Sequence, residues 1–491
     1  MQFKLSSLSL ALIASLCAGN ALASGYHFGS QSAASQGTAN ANSVEGDDAS
    51  GLFYNPAVSS RLKGLQVSGV LNVVLPTGEY EDKGSITALR TPTGGGNGGK
   101  FVKPTAVPHA YLSYQLSDQL SLGMGMFVPF GSKSEYEKDW AGRYNTIGTE
   151  LKTFALNPSI AFKVNPTLSI GAGVTAQYIQ GDLTKGADFG SGVIGLIVPG
   201  LPPALQGPLT AALVPKLAGN ASSSGGVEVS GKDWGYGFNL GLILNYDENT
   251  RFGVAYRSKI SHTLTGDAKW QVKDQAAYIG QVLGAIPALA ATGTDKKVVA
   301  ALLAKYQDGG ASLDVVTPES LSFSVFKQLD PRLAVMADAT LTRHSRFQEL
   351  RINFDQPTLA DSNTPQRWVK TVRAAFGVNY QLSDAIKLRG GLAFDQSPVS
   401  DANRTPSIPD GDRKWISGGL NWKLDQQSSV DFALSYIQVN TGLVNNYDNG
   451  GITKNGVASC DSNLNTSSCA TIKGNYKLSS GLIGVQYNRQ F

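Results

Sequence analysis

The side chains of this 491-residue sequence that could meet an anion are few and scattered. Arg351 stands in FQELRINF, where Leu350, Ile352 and Phe354 take one face of an extended chain and Glu349, Arg351 and Asn353 the other. The charged face is expected to line an interior. There a guanidinium pairs bidentately with a carboxylate at low dielectric; an ion pair with Glu349 is the plain structural alternative. Lys387 and Arg389 alternate with Ile386 and Leu388, and Arg257 and Lys259 share one parity after Phe252 and Val254. These read as interior charges that hold another segment in place, with Asp47 and Asp48 as partners. The four histidines, His27, His109, His262 and His344, stand apart, and none falls in HExxH or another metal spacing. There is no GxSxG elbow and no phosphate loop. No metal, cofactor or catalytic residue is therefore expected; a hydrolase assembled across strands is the enzymatic alternative.

The elements that must carry these residues are strands. Leu168–Ala176, Val372–Tyr380 and Val430–Tyr436 alternate apolar and polar residues with the period of a strand. Charged residues are only 16%, glycines number 56 and the net charge is +4, which names no nucleic-acid partner. Mean hydropathy is −0.10, and beyond the first residues no apolar run reaches the ~20 residues of a membrane helix. Residues 1–23 read as a secretory signal, with Lys4, the apolar Leu5–Leu16 and the small-x-small site Ala21-Leu22-Ala23. Export, low charge and period-two strands together imply a transmembrane antiparallel β-barrel in the outer membrane, surrounded by its lipid and lipopolysaccharide. Short turns near 117–119, 165–167, 247–249, 330–331, 383–384 and 425–429 separate long connections near 77–102, 131–148, 186–230, 269–312, 355–367, 398–412 and 441–470. That pattern gives about fourteen strands from residue 64 to 491. A monomer is expected.

Four stretches depart from the alternation. Ser43–Gly64 holds Asp47-Asp48 and then Asn55-Pro56-Ala57, where Pro56 forces a turn or extended chain. It reads either as a capped turn leading into the first strand or as a plug over residues 24–63, folded inside what the later strands build, with Asn55-Pro56-Ala57 near the first strand at the periplasmic end. Leu120–Lys133, the third strand by count, is interrupted by Pro129 and Gly131. Gly192–Ala218 and Asp274–Lys305 are long, apolar outer connections, the second with the pattern of short helices. They either cap the barrel or leave a groove where a hydrophobic solute first binds. Cys460 and Cys469 flank a polar loop and, in an exported chain, are expected to form a disulfide.

GDDASGLFYNPA (46–57), WAGRY (140–144), FQELR (347–351) and RTPSIPDGDRKWISG (404–418) with SVDFALSYI (429–437) resemble the long-chain fatty acid transporter (FadL) family of Gram-negative outer membranes, including its aromatic-hydrocarbon relatives. The resemblance implies an N-terminal hatch, a lateral gap at the kink in the third strand (here Pro129 and Gly131), and a basic residue at Arg351 that meets the fatty acid carboxylate. The family's second basic residue has no counterpart: its strand offers Gln180. The implied function is outer membrane transport of hydrophobic small molecules, long-chain fatty acids first, by binding in an apolar lumen pocket and lateral release through the barrel wall, with aromatic hydrocarbons by the same route as the alternative. A general diffusion porin is disfavoured, because an open aqueous channel needs neither plug nor apolar loops.

Overall fold

The computed structural model describes residues 25–440, 442–448 and 469–491. The wall is a closed antiparallel β-barrel of fourteen staves. Eight are single strands: β1 (Leu65–Asp82), β2 (Thr105–Gln115), β5 (Gly148–Lys163), β6 (Leu168–Asp188), β7 (Ser224–Asn245), β16 (Ile386–Asp395), β17 (Arg413–Lys423) and β20 (Thr471–Gln490). Six are broken into two: β3 (Leu120–Phe127) with β4 (Gly131–Glu135), β8 (Thr250–Arg257) with β9 (Ile260–Gln271), β10 (Gly309–Thr317) with β11 (Ser320–Gln328), β12 (Leu333–Thr342) with β13 (Glu349–Phe354), β14 (Ser362–Pro365) with β15 (Thr371–Gln381), and β18 (Ser428–Val439) with β19 (Gly442–Tyr447). Pairing of β1 with β20 closes the ring.

Side-chain alternation sorts lipid from lumen. On β1, Val67, Leu71 and Leu75 face out, while Val70, Asn72 and Val74 are buried. On β20, Ile483, Val485 and Tyr487 point outward as the sequence suggests, and Gln486 points in at 0% exposure. All six short turns join strands where expected, although β18 already begins at Ser428. Several long connections are shorter than expected, because β1, β6, β7, β9, β10 and β19 run into them.

The breaks change which residues face inward. Between β8 and β9, the Ser258 N–H donates to the Phe238 carbonyl at 2.9 Å and the Phe238 N–H donates to Ser258 Oγ at 2.8 Å. This local detour reverses the parity. Arg251 faces in on β8, whereas Ile260, His262 and Leu264 face in on β9. Lys259, expected in the lumen, falls on the detour and is exposed.

The opposite correction applies to Arg351. An inward Arg351 would require the parity to reverse between β12 and β13, but six residues intervene and parity is kept. Met336 and Asp338 face in on β12, and Leu313 of β10 pairs with Ile352 of β13. Leu350, Ile352 and Phe354 therefore face the lumen, and Arg351 faces away from it. A polar outer surface over an apolar inner one is the pattern expected of wall that extends beyond the hydrocarbon layer. Arg351 is held by Glu349 at 2.8 and 3.0 Å and approaches Asp361 at 3.8 Å.

The outer connections fold into helices. Phe189–Ile197 and Pro203–Leu217 come from one, and Lys273–Gly284, Pro287–Ala290 and Thr294–Lys305 from another. Phe189, Val193, Leu213, Ile279, Leu283 and Val298 form their common core. The two alternatives for these loops thus combine, since they pack on one another and still leave a groove. Of the expected disulfide, Cys460 lies outside the described residues.

Candidate functional site

Residues Gly25–Leu62 are largely buried and hydrogen-bond to β2, β7, β12, β16 and β20 around the ring of strands, the contacts expected of the hatch. A short helix, α1 (Ala33–Gly37), starts at Ser32, whose side chain accepts from the Ser35 N–H at 3.2 Å. Two 3₁₀ turns follow, Ala49–Leu52 capped by Asp48 and Pro56–Arg61 capped by Asn55. Pro56 sits at the first helical position, where its missing N–H costs nothing.

Asn55-Pro56-Ala57 explains itself in contact. Asn55 Oδ1 accepts from the Ala57 N–H at 3.0 Å. Its Nδ2 donates to wall carbonyls, Leu242 at 3.1 Å and Val254 at 3.3 Å. The backbone can approach this closely because the wall has glycine there. A Cβ on Gly171 would stand 2.6 Å from the Pro56 carbonyl carbon. The motif thus sits against β6, β7 and β8 rather than near the first strand, because that is where glycines leave room.

Charge holds the other side of the hatch. Glu45, unremarked in the sequence, is the centre: it takes Arg389 Nη1 at 2.9 Å, Lys387 Nζ at 3.2 Å and Asn379 Nδ2 at 2.5 Å. Lys387 also pairs with Asp47, and Arg389 reaches Asp431 at 3.3 Å. Burial opposes the charge on Asp47, but Lys387 and Arg389 outweigh it and hold the carboxyl below its usual range. Asp48, expected to meet a wall cation, instead accepts from Ser50 N–H at 2.8 Å. Burial, and then nearby Asp431, pushes its carboxyl up to about 6.

The wall has a gap. β2 and β3 pair only from Ala110↔Met126 to Gln115↔Ser121. Beyond that, Val128-Pro129-Phe130 leave the ladder, and β4 resumes at Gly131 paired with β5 alone. Thr105–His109 of β2 pair with β1 but with no strand on the other side among the described residues. Pro129 has no N–H to give a ladder, and Thr153 Oγ1 satisfies the Phe130 N–H at 2.9 Å.

The hatch covers this gap from inside. The Phe28 N–H donates to Pro129 O at 2.9 Å and the Gly131 N–H to Tyr26 O at 2.8 Å, with His27 bridged to Phe130. Tyr26 stacks on Trp368 at 5.2 Å and packs with Phe130 and Phe347. Burial, and then Arg257, Arg373 and Arg413, pushes the His27 imidazole down to about 4.

Three cavities lie in the outer helices and the lumen. The outermost, about 280 Å³, is an apolar groove between the helices at Phe189–Ile197 and Thr294–Lys305, edged by Lys297 and Lys305. Lys305 and Tyr306 also line the upper lumen cavity, about 110 Å³, with Leu183, Val229, Trp270, Leu350, Ile352 and Phe354. The lower cavity, about 90 Å³, has a mixed lining that includes His27, Pro129, Phe130, Arg257 and Arg373 together with the carboxylates Asp338 and Asp395. Arg257 is half-buried there. Its guanidinium donates to the Phe53 carbonyl at 2.7 Å and lies 4.7 Å from the Phe53 ring. No carboxylate pairs with it among the described residues. The sequence could have offered Arg257 as an anion site; it was read as a hatch anchor, which it also is.

Comparison with known proteins agrees with this architecture. Residues 14–491 match the family model described as outer membrane protein transport protein (OMPP1/FadL/TodX). A putative outer membrane protein of Neisseria meningitidis serogroup B is 35% identical over 425 residues, covering 85% of this chain and 86% of its own. The long-chain fatty acid transport protein of Escherichia coli K12 is 28% identical over 443 residues, covering 89% and 93%. The crystal structure of a Pseudomonas aeruginosa FadL homologue superposes with a TM-score of 0.79 at 24% identity, covering 95% of this chain and 100% of that one. With a matching barrel, matching length and a family model spanning nearly the whole sequence, this chain belongs to the OMPP1/FadL/TodX family of outer membrane transport proteins.

Proposed function

We propose that the protein carries long-chain fatty acids, or amphiphiles with the same apolar tail and carboxyl head, through the outer membrane and releases them sideways into the lipid. The observation that carries this reading is Arg257, a cation in the lower cavity with no carboxylate partner among the described residues and with the wall gap beside it. Asp338 and Asp395 line the same cavity but are held by Ser43, Ser324 and Arg413, so the guanidinium keeps the cost of a charge with no direct counter-charge, and such a site suits an anionic ligand. Lys297 and Lys305 at the outer groove fit the same ligand at its first contact. An apolar tail gains nothing from crossing a water-filled pore, and a gap into the membrane gives it an exit of its own kind.

One observation favours aromatic hydrocarbons as a second reading. The upper cavity, about 110 Å³, is smaller than the ~150 Å³ cavity that holds benzene. It fits at most one small ring as it stands. A long tail must displace the aromatic cluster around Tyr26 on its way down.

Arg257→Gln separates the two. Oleate binding to the purified protein should weaken by about 1.5–3 kcal/mol, the range for a hydrogen bond to a charged group, while toluene binding stays the same. Unchanged oleate binding would remove the carboxylate from the proposal and leave the hydrocarbon reading.

A further inference from the structure

The wall gap has a polar group at its edge that the transport path so far does not use. His109 is the last residue of β2 before pairing with β3 begins at Ala110↔Met126. It shares inward parity with Val107 and Tyr111 and is 2% exposed. Neither Nδ1 nor Nε2 has a hydrogen-bond partner among the described residues. Its cross-strand partner Val70 and its same-face neighbour Val107 are apolar, the inward Asn72 lies diagonally across on β1, and the Phe28 ring lies stacked over it at 6.1 Å and 17°.

A buried imidazole always presents one N–H and one lone pair, so two unmet needs persist here in either tautomer. A residue needed only for packing would be apolar. The cover over His109 is the segment that closes the gap. The Phe28 N–H is tied to Pro129, and Gln31 Nε2 donates to the carbonyls of Phe28 at 2.5 Å and Val128 at 2.6 Å. If this segment withdraws from the kink, it opens the gap and uncovers His109 in one movement.

We propose that His109 is the hydrogen-bonding station for the ligand's carboxyl head at the lateral exit. The head leaves Arg257 in the lower cavity and would otherwise cross an apolar rim with its oxygens unsatisfied. His109 can donate to a carboxylate oxygen, and it can accept from a protonated carboxylic acid. No covalent step is involved. The inference rests on the carboxylate reading above and adds a residue that selects the head during release rather than during loading.

The test uses full-length protein in cells lacking their own transporter, with oleate and toluene as the two probes. His109→Phe keeps the packing and removes both polar atoms, and His109→Gln keeps a donor and an acceptor. Assembly of each variant is checked by heat-modifiable gel mobility. With His109→Phe, oleate uptake should fall about tenfold, the loss of one hydrogen bond at the rate-limiting passage. Equilibrium oleate binding and toluene entry should not change, and His109→Gln should recover most of the uptake. Unchanged oleate uptake, or equal slowing of both probes, overturns the role of His109 and leaves the carboxylate reading intact. Failure of His109→Gln to recover uptake also counts against it. If the unaltered protein carries no oleate, both readings fall together.

Discussion

Two ionisable residues of the hatch work against each other as pH changes. The docked His27 imidazole titrates near 4, against 6.5 in an ordinary setting, so its contribution to docking is full above 6.5 and is lost as pH falls toward 4. Docked Asp48 titrates near 6, against 3.8, so the docked state binds the extra proton between those values and docking tightens as pH falls. In the unaltered protein the two trends oppose. Asp48→Asn should leave only the histidine trend, with a hatch more open to protease at about pH 5 than at about pH 7. His27→Gln should show the reverse dependence. Both variants shifting in the same direction would contradict these assignments. At this scale the sequence was partly legible. Lys387 and Arg389 were found as hatch anchors from alternation alone. Arg351 was put on the wrong face because the chain does not announce where the lipid ends. Polar residues face the lumen at membrane depth but face outward above it, and a single strand can cross that boundary.

At the level of elements, period two and the turn residues identify the wall, and all six short turns fall where Asp, Asn, Ser and Pro mark them. The breaks were harder to see. Pro129 signalled the one in the third stave, but the detour at Ser258-Lys259 has no proline and shows itself only as a parity change. The placement of the hatch was also hidden, since it depends on glycines in strands more than a hundred residues away. Gly171 makes this testable. Leucine there would drive a side chain into Pro56 and Ala57, so the hatch should dock poorly while the barrel, closed by its own ladders, assembles normally. Asn55→Ala should act in the same direction but more weakly, by about 0.5–2 kcal/mol for a lost cap. The measurement is protease resistance of the hatch beside heat-modifiable mobility of the barrel. Loss of both in Gly171→Leu would mean that the hatch is part of barrel folding.

For the molecule as a whole, the proposed path changes character along its length. An apolar groove with two lysines at its edge adjoins an apolar upper cavity, with which it shares Lys305 and Tyr306. On the proposed route the ligand then passes the aromatic cluster around Tyr26 to the mixed lower cavity, beside which the wall is unpaired. The gap is closed from inside by Tyr26–Phe28, held on the kink by backbone hydrogen bonds. Such bonds contribute about 0.5–1.5 kcal/mol each, few enough to break and remake during transport. The central claim, that ligand leaves through this gap, is tested by locking the cover in place. His27 and Phe130 are bridged antiparallel partners, a pairing whose geometry suits a disulfide. With His27→Cys and Phe130→Cys, uptake of oleate should be nearly abolished when the pair is oxidised and recover on reduction. Equal uptake in the two states would show that ligand does not leave by this route.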